Sequence, residues 1–264
     1  MENHVPKRVF TLLNEKPGEE IYEICITLKD VHGALSETAR VLSNAHANLR
    51  TSILFDAVEK NGIGYWTSFV DLSNAVKDIK QIKKELCKLD IVQDIKIVKP
   101  KPLSYDVIHF PIVHGESAAI VMPIELFSSL FDEIEKILTP SGFTAVFYSA
   151  GKKSGAFIAG LLAKRYGLEG KSLTLALFQA TKAIGWGQIE EFDLDEKEPF
   201  GKVKVQKCFE ALLRGSRNER VCHWTRGFLA GFLGKVFDKS VDAVESKCLA
   251  AGDQVCEFEV KPQI

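Results

Sequence analysis

The chain has 264 residues, 46% hydrophobic and 26% charged, with 34 basic and 35 acidic side chains. That composition is globular and excludes wholesale disorder. It also excludes a free-standing electrostatic nucleic-acid binder, since no basic stripe or tail is present. The length suits two ordinary domains, each able to bury its own core.

The most apolar run, residues 144–163, is broken by Lys152, Lys153 and Ser154. It falls short of the roughly 18 uninterrupted apolar residues of a membrane span, so no membrane partner is expected. Residues 1–16 are polar and lack the apolar centre of a signal peptide, which points to the cytoplasm. The six cysteines, at 25, 87, 208, 222, 248 and 256, are then expected as reduced thiols or metal ligands.

Lys99-Pro100-Lys101-Pro102 ends any regular element and favours an extended link. The expected organisation is a tail over 1–19, a first domain over 20–99, a linker over 100–105 and a second domain over 106–264. In the first domain, residues 21–28 alternate as a strand, with Tyr22, Ile24, Ile26 and Leu28 on one face. Leu35, Ala39 and Leu42 fall at helical spacing within 34–45. Residues 49–57 and 65–72 are β-rich and joined by Glu59-Lys60-Asn61-Gly62, a hairpin loop. Val76, Ile79, Ile82, Leu86 and Leu89 stripe a second helix, and 91–98 close the unit. The order βαββαβ is the ferredoxin-like pattern.

The loop after the first strand reads Asp30-Val31-His32-Gly33-Ala34-Leu35, with Asn48-Leu49 following the helix. This resembles the ACT domain, a regulatory ligand-binding module with the pattern D-x-P-G-x-L followed by N-I. Asp30, Gly33, Leu35 and Asn48 stand in the matching places; His32 replaces the usual proline and Leu49 the common isoleucine. The resemblance covers about 80 residues and implies amino-acid binding at this loop and association into a homo-oligomer, a dimer in the simplest case. Gly33 allows close backbone approach, and a helix N-terminus offers N–H groups to a carboxylate. The same residues also suit a plain turn in which Asp30 caps the helix.

The second domain opens with apolar stretches at 107–113 and 117–120. A helix is expected over 126–138, ending before Pro140, and a long one over 145–166 containing Gly151, Ser154-Gly155 and Gly160. Such small residues let another element pack closely, at a cost in helix propensity. A helix over 173–184, strands over 188–194 and 202–209, a helix over 222–237 and a hairpin of 242–250 with 254–260 complete the reading. Gly170-Lys171-Ser172 resembles the end of a phosphate loop, but Arg165 stands where its first glycine belongs.

A turn centred on Gly252 sets Cys248 opposite Cys256, with Cβ atoms ~4.5–5.5 Å apart. Cys222 begins a helix, where the dipole favours its thiolate. Glu245 lies three residues before Cys248, so a β-bulge is needed to bring both to one face. Three sulfurs and a carboxylate would complete a closed tetrahedral zinc site. The alternative is three buried cysteines acting as small hydrophobes.

The segment Val221-Cys222-His223-Trp224…Gly227…Gly231…Glu245-x-x-Cys248…Gly252-Asp253-x-x-Cys256 resembles the 4-vinyl reductase domain, also called the hydrocarbon-binding domain. Tyr148-Ser149-Ala150-Gly151 and Gly185-Trp186-Gly187 fit as well, so the resemblance runs from about residue 106 to the end. It implies an α+β domain of helices on antiparallel hairpins, a small hydrophobic or aromatic ligand, and a structural zinc on Cys222, Glu245, Cys248 and Cys256. Trp224, Phe228 and Phe232 form an aromatic stripe beside Gly227, Gly231 and Gly234, either core or the wall of a ligand cavity. Trp186 or His223 would supply a hydrogen bond to a polar ligand atom.

The expected protein is thus a ligand-sensing regulator without direct nucleic-acid contact. Reduction of vinyl tetrapyrroles is the enzymatic alternative, but no dinucleotide fingerprint is present and a closed four-ligand metal has no open position. A ligand-free interaction scaffold is the third.

Overall fold

The computed structural model describes residue 13 and residues 16–56, 62–114, 117–194 and 198–263. Most of the tail expected over 1–19, and Glu59, Lys60 and Asn61 of the hairpin loop, lie outside the described residues. The chain divides into two units, Met1–Ile120 and Val121–Ile264.

In the first unit, β1 (Ile21–Lys29), α1 (Ala34–Asn44), β2 (Asn48–Asp56), β3 (Ile63–Asp71), α2 (Ile79–Leu86) and β4 (Val92–Val98) follow one another. The strands form an antiparallel sheet in the order β2-β3-β1-β4. Ile24, Ile26 and Leu28 of β1 share a core with Leu42, Ile82, Leu86 and Ile95. Asp78 and Gln81 form a capping box that starts α2.

The boundary differs from the expected linker at 100–105, because residues 100–120 belong to the first unit. The physical reason lies on the other sheet face. Strand alternation points Glu23 and Cys25 of β1 away from the helices, beside Thr67 and Phe69 of β3, and all four are buried. The stretch beyond the prolines contacts this face: Val107 N donates to Glu23 Oε2 at 3.1 Å, and His109 Nε2 lies 3.0 Å from Thr67 Oγ1. A short ladder, β5 (Val113–His114) with β6 (Ser117–Ala118), follows.

The second unit begins with α3 (Ile124–Ile137) and α4 (Pro140–Tyr166). Pro140 does more than end the first helix. It sits at the first position of the second, where its missing N–H costs nothing, and Thr139 caps the end by accepting from Gly142 N at 3.2 Å. The helix α5 (Gly170–Ala183) precedes β7 (Gln188–Leu194) and β8 (Gly201–Gln206). A short helix the sequence reading missed, α6 (Phe209–Arg214), then leads to α7 (His223–Phe237), β9 (Val241–Lys247), a 3₁₀ turn Leu249–Ala251 and β10 (Cys256–Pro262). This sheet is antiparallel in the order β7-β8-β10-β9. It is a mixed α/β unit with its core between the sheet and α4, α5 and α7.

The small residues form one joint. A Cβ on Gly151 or Gly155 of α4 would overlap the carbonyl oxygen of Trp224 or Phe228. One on Gly227 or Gly231 of α7 would overlap that of Tyr148 or Lys152. Two pairs of glycines four residues apart thus let two helix backbones touch. The glycines at 227 and 231 make room for α4, not for a ligand as the stripe reading supposed.

Candidate metal centre and aromatic pocket

Cys222 is the residue before α7, Cys248 and Cys256 flank the 3₁₀ turn, and Glu245 lies on β9. The bulge required by the Glu245–Cys248 spacing is present. Glu257 pairs with Lys247 but Phe258 with Glu245, so Ser246 is the extra residue and the chain reverses its facing there. One donor atom from each of the four residues lies within 4.8 Å of every other, and all four residues are buried. Cys222 Sγ is 3.9 Å from Cys248 Sγ and 3.8 Å from Cys256 Sγ. A tetrahedron with ~2.3 Å metal–sulfur arms has edges of ~3.8 Å.

Glu245 reinforces that fit. Its Oε2 accepts from Cys222 N at 3.0 Å, whereas Oε1 is buried without a hydrogen-bond partner. Burial, and then the neighbouring Cys248, push its carboxyl up to about 9. A cation among the sulfurs would reverse that balance and give the orphaned oxygen a partner. Hydrogen bonds, first from Cys222 and then from Cys256, hold the Cys248 thiol far below its ordinary range. The Leu249 N–H lies 3.4 Å from Cys256 Sγ.

Two residues near the centre escaped the sequence reading. Cys208 Sγ is 3.7 Å from Cys222 Sγ, placed to hydrogen-bond a ligating sulfur. Glu210, fully buried on α6, accepts from Trp224 N, Thr225 N and Thr225 Oγ1 at 2.8–2.9 Å and so caps α7 from a distance. Burial raises its carboxyl to about 8. The signal was faint because 202–209 reads as continuous strand; only a glutamate beside apolar residues hinted at it.

Trp224 stacks on Phe228 at 5.0 Å, and Trp186 meets both edge-on at 5.1 and 5.5 Å. With Phe209, Leu177 and Val205 they line a void of about 30 Å³ with almost no polar lining. Of the five expected pocket residues, Trp186, Trp224 and Phe228 line this void, whereas His223 and Phe232 do not. Phe232 is fully buried, stacked on Phe228 at 6.3 Å, one helical turn too deep. His223 points toward α4, its Nε2 3.3 Å from Thr144 Oγ1. Burial, with Arg226 and Arg214 nearby, lowers the ring to about 4.

In the first unit, a groove of about 490 Å³ is lined by Asp30, Val31, His32, Gly33, Ala34 and Leu35 together with Leu54 and Gly64. Gly33 has φ 86° and occupies the cap position of α1, where it has no side chain to cap with. Asn48, expected at this loop, lies outside the groove lining and pairs with Asp71.

Residues 202–262 match the 4-vinyl reductase (V-4-R) domain family. The C-terminal region of this chain carries a domain of that family. An uncharacterized Methanocaldococcus jannaschii protein, MJ0150, is 27% identical over 53% of this chain and 76% of its own length. A second, MJ1642, is 32% identical over 23% of this chain, which spans only 37% of that relative. Three solved structures are similar. The phenol-responsive sensory domain of the transcription activator PoxR with phenol has TM-score 0.49, 19% identity, and covers 56% of this chain and 78% of its own. A vinyl-4-reductase family protein from M. jannaschii has TM-score 0.40, 25% identity, and coverage of 56% and 85%. The ACT domain of GTP pyrophosphokinase from Chlorobium tepidum has TM-score 0.25, 22% identity, and coverage of 30% and 99%. Among the described residues no helix is long and apolar enough to cross a membrane.

Proposed function

We propose that this chain is a ligand-sensing regulatory protein. Its 4-vinyl reductase domain holds a small hydrophobic or aromatic molecule among Trp186, Trp224 and Phe228. A structural zinc on Cys222, Glu245, Cys248 and Cys256 fastens the C-terminal hairpin to the helix that lines the pocket. The carrying observation is that continuity: Cys222 is the residue before α7, and Trp224 two residues on already lines the void. Zinc there would lock the hairpin and the pocket wall together, supplying stability and no open coordination position, which favours binding over catalysis. The first unit serves as an ACT-type module that associates into dimers and takes an amino acid in the Asp30–Leu35 groove, a reading supported by that groove and by Gly33 at the head of α1. The proposed setting is cytoplasmic, with output passed to a protein partner.

The test is elemental analysis of the full chain, purified without added metal, beside its Cys256→Ser variant. The expected result is bound zinc in the parent, with about one equivalent lost in the variant. Phenol should then change the tryptophan fluorescence of the parent and leave Trp224→Leu unaffected. Equal metal in both proteins, or no saturable response to phenol or to larger aromatics, overturns the reading.

A further inference from the structure

A second cluster of donors lies in the first unit, on the sheet face that the helices leave free. Glu23 comes from β1, and Asp106 and His109 from the stretch beyond the prolines. One donor atom from each lies within 4.8 Å of the others. His109 Nδ1 is 3.0 and 3.2 Å from the two Asp106 oxygens and 3.8 Å from Glu23 Oε1. The ring's other nitrogen, Nε2, is 3.0 Å from Thr67 Oγ1.

Glu23 shows that the cluster is incomplete. Its side chain is fully buried; Oε2 accepts from Val107 N, but Oε1 is buried with no hydrogen-bond partner. A buried carboxylate with an orphaned oxygen is costly, and here a second carboxylate lies beside it. A proton on the ring neutralises one of the two charges. A divalent cation neutralises both and occupies the space Oε1 faces. Arms of ~2.0–2.2 Å to nitrogen and oxygen give tetrahedral edges of ~3.3–3.6 Å, within the spread of these separations. An imidazole binding through Nδ1 with Nε2–H held by a hydroxyl is the usual outer support of a metal-bound histidine. Asp106 and His109 are each 28% exposed, so a further position faces water.

We propose that Glu23, Asp106 and His109 form a second divalent-metal site, of zinc-like preference, completed by water. It pins residues 106–109 to the first unit's sheet. It is independent of the sulfur-rich centre, with which it shares no residue.

Cobalt(II) titration of the chelator-stripped full chain separates the two, because only the cysteine centre gives sulfur-to-cobalt charge-transfer absorption. The expected result is one equivalent of cobalt binding without those bands, retained in Cys256→Ser and lost in both Glu23→Gln and His109→Gln. Circular dichroism of each variant confirms folding, and Glu23→Gln keeps the buried shape if His109→Gln does not. Absence of a sulfur-free equivalent in the parent, or its survival in a folded Glu23→Gln protein, overturns the site. Loss of the sulfur bands alone bears on the cysteine centre and leaves this one countable.

Discussion

The groove at the first unit's loop offers about 490 Å³ behind a backbone that Gly33 bends open, whereas the void among Trp186, Trp224 and Phe228 offers about 30 Å³. The first is a surface feature formed by a turn, ready without rearrangement. The second is enclosed by aromatic rings that have closed on one another. An apolar cavity of ~150 Å³ is what accommodates benzene, so an aromatic guest must displace rings here. Binding then carries the cost of opening, which lowers apparent affinity by the fraction of open molecules. That cost is also what can make such a site a switch, since a guest selects the open state.

The largest expected effect tests what encloses the void. Gly155→Val drives a side chain into the Phe228 carbonyl, on the helix that carries two of the pocket's rings. The second unit should lose cooperative folding, by upwards of ~4 kcal/mol, while the first keeps its own transition. A calorimetric scan with both transitions intact would show that α4 and α7 do not meet there.

Metal removal should come next. A strong chelator is expected to lower the melting temperature of the second unit by ten degrees or more, on the order of a few kcal/mol, and to leave phenol unbound. An unchanged scan would detach the cysteine centre from the pocket.

Trp186→Ala sharpens the comparison directly. Truncation should cost ~3–5 kcal/mol and leave a cavity. Phenol-sized or larger aromatics should restore part of the loss, read as a ligand-dependent rise in melting temperature. No rise with any aromatic would mean the neighbouring rings collapse into the space.

At the open groove the effects are smaller. Gly33→Ala places a side chain at φ 86° and should cost ~1 kcal/mol or slightly more. It should also weaken amino-acid binding, measured by calorimetry, with no effect on the aromatic site.

The smallest concerns pH. The His223 ring titrates near 4 in the folded chain against an ordinary 6.5, so folding disfavours its proton. Its contribution is fully present above pH 6.5 and declines as pH falls toward 4. Subtracting the stability profile of His223→Gln from that of the parent should expose the decline in that window; parallel profiles would refute it.

Much of this was legible in the residues. Strand alternation in 21–28 and the helical stripe of Leu35, Ala39 and Leu42 placed β1 and α1 because period is a local property. The Cys248–Cys256 spacing around Gly252, together with the unavoidable bulge at Glu245, located the metal candidate because a hairpin's register follows from its turn. The long helix's start was read five residues late, since Pro140 ends one helix and opens another with the same fixed φ.

Sequence determined what is local or periodic here: the βαββαβ order of the first unit, the small-residue rows at 151–155 and 227–231, and the set of cysteines on one hairpin and one helix start. Tertiary structure decided what depends on two distant segments meeting. It set α4 on the glycines of α7, turned His223 and Phe232 away from the void, and brought Glu210 of α6 to the head of α7. It also laid Asp106 and His109 over Glu23, more than eighty residues earlier in the chain, because a buried sheet face with a carboxylate must be covered by something that answers its charge.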